Sequence, residues 1–181
     1  MKKLLLLAAA CAALAACQPQ ERAAPETAGA ETGPHVVAAD DIERGRYLVK
    51  IGGCNDCHTT GYLEKNGAVP ESEWLTGSLG FNGAWGTSYP ANLRLSVQAL
   101  DEDAWVTTMR TRNGLPPMPW IALKEMSESD LRAVYKFIHS LGAAGQPMPA
   151  ALPPGVTPPG VYFYFMPLTG TPPKPAGAPP G

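Results

Sequence analysis

Cys54-Asn55-Asp56-Cys57-His58 gathers two thiols and an imidazole into five consecutive residues, and nothing else in the chain narrows its fold as sharply. The sequence holds four cysteines, and the other two, Cys11 and Cys17, lie in and just after an apolar N-terminal stretch. Two remaining cysteines are too few for a disulfide framework. A redox CxxC of the thioredoxin kind would sit in a βαβ setting, and the surrounding pattern contains none. A structural zinc site needs four ligands, and beyond His58 only His35 and His139 are left.

The chemistry that uses all three side chains is covalent haem attachment. Two intervening residues let the sulfurs of Cys54 and Cys57 reach the two vinyl groups on one side of a porphyrin. His58, directly after, then comes under the iron as proximal ligand. The expected cofactor is one haem c. A second axial ligand would come from a methionine or histidine across the ring. Met109 and Met126 fall on or beside helices and read as core fillers, and Met148 and Met166 lie far toward the C-terminus. Met118 stands in Gly114-Leu115-Pro116-Pro117-Met118-Pro119-Trp120, where three prolines stiffen an extended loop able to present a thioether to iron.

The N-terminus reads as an export signal over residues 1–16. Lys2 and Lys3 precede an apolar run from Leu4 to Ala13 that is too short to span a bilayer. Leu14-Ala15-Ala16-Cys17 resembles a bacterial lipobox, which implies lipid on Cys17 and anchoring to a membrane without crossing it. Gln18 after that cysteine resembles the outer-membrane pattern. The expected location is the periplasmic side of a bacterial membrane. Residues 17–38 carry almost no bulky apolar side chains and read as a flexible tether.

Helical periodicity is confined to residues 39–143, the expected domain. One helix begins at Asp40, with Glu43 as its capping partner, and runs to Ile51. A second has Asp101 as N-cap, with Leu100 and Trp105 as a hydrophobic staple, and stops at Asn113-Gly114. A third starts at Ser127, paired with Asp130, places Leu131, Val134, Tyr135, Ile138 and Leu141 on one face, and ends at Gly142. The long loop between 59 and 100 leaves little core, which an apolar cofactor would complete. From 144 to 181 the chain has twelve prolines and six glycines and reads as an extended, non-helical tail. Within it, Val161 to Phe165 is expected to pack back as one strand. The expected fold class is all-α: three main helices and long loops around one haem.

The chain has fourteen Lys plus Arg and sixteen Asp plus Glu; loss of Lys2 and Lys3 leaves twelve against sixteen, a net charge near −4. No basic patch points to nucleic acid.

The order helix, CxxCH, glycine-rich loop, methionine loop, final helix resembles class I cytochrome c. Arg44 to Leu48, Gly86 to Leu93, Met118-Pro119-Trp120 and Met126 to Leu131 are similar to small exported cytochromes related to the cytochrome subunits of bacterial periplasmic alcohol dehydrogenases. The resemblance covers roughly residues 40–142. It implies Met118 as axial ligand, Gly45 as the point where first and last helices cross, and Tyr89, Asn92 and Arg94 beside the haem propionates. Those subunits carry several CxxCH motifs and this chain has one, so the expectation is a single-haem electron carrier, not an enzyme. Its partners would be redox proteins: a dehydrogenase, an oxidase or other cytochromes. The alternatives are a bound subunit of such a complex, docked through its tail, or an open-site haem sensor or peroxidase.

Overall fold

The computed structural model describes residues 34–165. The signal segment, Cys17, the tether up to residue 33, and Met166 with the rest of the tail lie outside the described residues.

Asp40 starts the first helix because its carboxylate accepts a 2.8 Å bond from the Glu43 N–H, one of the donors a helix start leaves unpaired. Among the described residues six helices follow one another: α1 (Asp41–Ile51), α2 (Cys54–His58), α3 (Leu93–Gln98), α4 (Glu102–Thr111), α5 (Trp120–Glu125) and α6 (Glu128–Ser140). The three long ones match the capping signals. Asp101 accepts from the Ala104 N–H at 2.7 Å and Ser127 from the Asp130 N–H at 3.1 Å. The Asp130 carboxylate in turn accepts from the Val36 N–H at 3.1 Å, tying the start of the described chain to α6. Gly142 then breaks the path with a φ of 72°.

Helices α1 and α6 cross at Gly45. A β-carbon there would run into the Ala133 carbonyl and stand 2.6 Å from the Phe137 Cβ, so only glycine lets the two backbones meet this closely. The crossing buries Leu48, Val49, Leu131, Phe137 and Ile138. Lys136 reaches back from α6 to Asp41 at 2.5 Å, and Arg44 meets the same carboxylate at 2.6 Å. On the other side, Trp105 of α4 packs beside Tyr135, whose hydroxyl donates to the Leu100 carbonyl at 2.9 Å.

The all-α expectation is corrected by a three-stranded sheet in the order β2-β1-β3, formed by β1 (Gly80–Gly83), β2 (Gly86–Ser88) and β3 (Tyr162–Tyr164). The strands β1 and β2 form a hairpin closed by Ala84 and Trp85, with Gly83 opposite Gly86. At Gly86, φ is 98° and an added Cβ would meet the Pro153 and Pro154 backbone, so glycine serves both the turn and the close approach of the C-terminal segment. That segment exchanges two 2.9 Å bonds between Leu152 and Thr87, and then lays β3 parallel to β1 with Phe163 opposite Phe81. Residues 144–161 are non-helical, as their composition predicts, and the chain through residue 165 pairs with the rest of the fold.

Candidate functional site

Gly53 adopts a left-handed φ of 67°, which lets the chain leave α1 and begin the single turn of α2 immediately. One helical turn sets Cys54, Cys57 and His58 three and four residues apart, on one side of it. Asn55 falls on the other side and is fully buried. Its Oδ1 accepts from the Thr59 hydroxyl at 2.7 Å, and that hydroxyl accepts from the Leu75 N–H at 2.8 Å. The Leu75 carbonyl then receives the Leu93 N–H at 2.9 Å, so α2 is hydrogen-bonded through the loop to the start of α3.

This linkage brings the Ala91 carbonyl to 2.7 Å from Nδ1 of His58. A carbonyl oxygen only accepts, so Nδ1 carries the proton and Nε2 keeps its lone pair. The imidazole is buried, and that burial, partly opposed by the bond to Ala91, holds its pKa below the ordinary histidine value. With Nδ1 committed to Ala91, the neutral ring offers Nε2, the form in which histidine ligates a metal.

Both thiols are free. Burial pushes Cys54 up to about 11, with the Asp56 charge adding to it, and burial followed by Asp56 also raises Cys57. A disulfide-exchange pair needs the opposite, a lowered thiol pKa. Among the described residues no three His, Cys, Asp or Glu side chains gather to hold a metal ion.

A cavity of about 330 Å³ has Cys57, His58, Tyr89, Met109, Met118 and Trp120 on its wall. Cys54 is half-buried against the apolar core at the other end of the same helical turn. Met118 is held by its loop: the Ser88 hydroxyl donates to the Pro116 carbonyl at 2.5 Å, and the Trp120 N–H donates to the Met118 carbonyl at 2.9 Å. Met109, expected as a core filler, is buried in α4 and also faces this cavity, so two thioethers share its wall. Met148 lies elsewhere, against Gly77.

Of the three residues expected beside propionates, only Tyr89 reaches the cavity. Asn92 caps α3 by accepting from the Leu95 N–H, and its amide donates to the carbonyls of Ala144 at 2.7 Å and Gln146 at 3.3 Å. Buried Arg94 donates to the carbonyls of Gly142 at 2.6 Å, Ser72 at 2.7 Å and Leu141. Both residues clamp the segment after α6 onto α3. Pro149 and Ala151 of that segment, with Phe81 of β1, complete the cavity wall. No periodicity marks these three; the Phe163 ring stacked 4.9 Å from Phe81 shows how the distant strand supports the wall.

A haem fits these residues. It would bring an apolar disc to mainly apolar walls, vinyl groups to the thiols, and iron to the bare nitrogen of His58. Trp105 and Trp120 are on the cavity wall, and their buried indole nitrogens have no hydrogen-bond partner among the described residues. An unsatisfied buried donor costs about 1–3 kcal/mol. No family model, no curated protein and no solved structure matches the chain.

Proposed function

We propose that the chain is a single-haem c-type cytochrome that passes one electron at a time between redox proteins at a bacterial membrane. The observation that carries the reading is His58, buried on the cavity wall beside Cys57 with its Nδ1 held by the Ala91 carbonyl. The motif resemblance in residues 40–142 supports the same family reading.

In this reading Cys54 and Cys57 would hold the haem through thioethers, and His58 and Met118 would ligate its iron. The haem supplies reversible one-electron chemistry at iron. His58 stays oriented because its Nδ1 proton is committed to the Ala91 carbonyl, which also raises the basicity of Nε2. The apolar walls exclude water around the site, and a thioether ligand favours the reduced state relative to a second histidine. Lipid on Cys17 would hold the exported protein at the membrane; among the described residues no helix is long and apolar enough to cross one.

A potentiometric titration of the purified protein followed in the visible region tests the carrier reading. A single one-electron wave between two low-spin forms is expected. A high-spin protein that binds carbon monoxide avidly when reduced would instead establish an open-site sensor or peroxidase. A bound-subunit role is favoured by the end of the described chain, where Tyr164 and Phe165 are each 54% exposed. Co-purification of a dehydrogenase or oxidase from membranes would distinguish it from a free carrier.

A further inference from the structure

We propose that the segment from Ala144 to Met148, which follows α6, is a strap that positions His58 for iron by tying together the two loops to which His58 is bonded. The inference rests on the haem reading and goes beyond it by giving a role to a stretch of chain that is not on the cavity wall.

His58 is held at two points. Its Nδ1 donates to the Ala91 carbonyl at 2.7 Å, and its own backbone carbonyl accepts from the Gly77 N–H at 2.8 Å. The strap spans both supports. The carbonyls of Ala144 and Gln146 accept from the side-chain amide of Asn92, the residue after Ala91, at 2.7 and 3.3 Å. The Met148 side chain lies on Gly77, where an added Cβ would run into its Sδ and stand 2.7 Å from its Cγ and 3.2 Å from the Pro90 carbonyl oxygen. Gly145 sits between the two supports. Its φ is 72°, and a Cβ there would come 2.9 Å from the Asn92 Nδ2 and 3.2 Å from the Cβ of Thr76, so glycine serves both the turn and the close approach.

Neither support is regular structure: Gly77 stands between α2 and β1, and Ala91 between β2 and α3. Irregular segments open at low free energy unless something ties them down, and the strap supplies the tie. It is itself anchored on either side. Arg94 donates to the carbonyls of Leu141 and Gly142 before it, and Leu152 exchanges backbone bonds with Thr87 after it. A ligating imidazole whose second nitrogen donates to a fixed acceptor keeps its orientation and has a more basic ligating nitrogen. Asn92 and Met148 are therefore positioning residues, one acting through Ala91 and the other through Gly77. The segment after the final helix would thus tune the iron through His58 while another part of the same segment, Pro149 and Ala151, closes the cavity wall.

The test is the iron–histidine stretching band in the resonance Raman spectrum of the haem-loaded protein. It is read in the Met118→Ala background, directly after photolysis of the ferrous carbon monoxide adduct. Met148→Ala and Gly145→Ala, neither of which removes an atom bonded to His58 or Ala91, should each move the band to lower frequency, because a loosened acceptor leaves Nε2 less basic. Met148→Leu, which keeps the side-chain bulk over Gly77, should leave the band in place. Ser127→Ala, which removes the cap at the opposite end of α6 from the strap, should leave it in place as well. Haem staining of the same samples on a denaturing gel separates the two claims. Covalent haem with the band unmoved in both Met148→Ala and Gly145→Ala overturns this inference and leaves the proposed function standing. Protein without covalent haem overturns both.

Discussion

The Ala91 carbonyl accepts the Nδ1 proton of His58 at 2.7 Å across thirty-three residues of sequence, and this one bond leaves Nε2 as the imidazole nitrogen able to offer a lone pair. The carbonyl stays in place because the next residue, Asn92, caps α3 and grips the chain at Ala144 and Gln146. Asn92→Ala should therefore lower the stability of the haem-loaded protein by about 1–3 kcal/mol in denaturant unfolding, the combined loss of a cap and of buried amide bonds. Asn92→Asp keeps the cap oxygen but sets a buried carboxylate oxygen against the Ala144 and Gln146 carbonyls, so near neutrality it should be no more stable than Asn92→Ala.

Gly45→Ala should destabilise more severely. The added methyl meets the Ala133 carbonyl, a backbone atom that cannot rotate away, so α1 and α6 must separate. Overpacking of this kind costs about 1–3 kcal/mol and at times more. Equilibrium unfolding measures it, and an alanine variant as stable as wild type would mean that the helices do not cross here.

Asp41 predicts an acid limb of stability. Hydrogen bonding to Lys136 is the largest influence on its carboxyl, with desolvation opposing and Arg44 assisting, and the net effect lowers its pKa below 3.8. The unfolded chain therefore takes up this proton first as pH falls. The contribution of Asp41 is fully present above 3.8 and is lost as pH drops through the lower folded value. The stability difference between wild type and Asp41→Asn should be constant near neutrality and close in strong acid. A gap that stays unchanged into that range would count against the α1–α6 ion pair.

Met118 and Met109 share the cavity wall, and spectroscopy separates them. Oxidised wild-type protein should show a weak near-infrared sulfur-to-iron charge-transfer band. Met118→Ala should lose it and bind carbon monoxide once reduced, while Met109→Leu should keep it. Loss of the band only in Met109→Leu would transfer the ligand role to α4.

The parts of this fold that repeat locally were readable from sequence. Asp40, Asp101 and Ser127 each hold a helix start through a partner three residues on, and Leu131 to Ile138 repeat at helical spacing. CxxCH was readable for the same reason, since its chemistry is contained in five residues. The sheet was not. Its strands are three or four residues long, its hairpin turns on Ala84-Trp85 without a turn-forming pair, and the partner of Phe81 is Phe163, far along the chain. The site divides likewise. His58 and Met118 came from local pattern, whereas Ala91, Phe81 and Pro149 reach the site only through long-range pairing, and Asn92 and Arg94 spend their donors on carbonyls beyond residue 140.

Covalent attachment of haem to Cys54 and Cys57 leaves a mark on the mass of the chain. The direct measurement is intact-protein mass spectrometry, with peptide mapping, of the chain produced in a host that performs c-type maturation. The expected result is a mass increased by one haem, carried on the peptide containing Cys54 to His58 and lost in the Cys54→Ala, Cys57→Ala double variant. A wild-type chain that folds, matures and carries no haem on that peptide would contradict it.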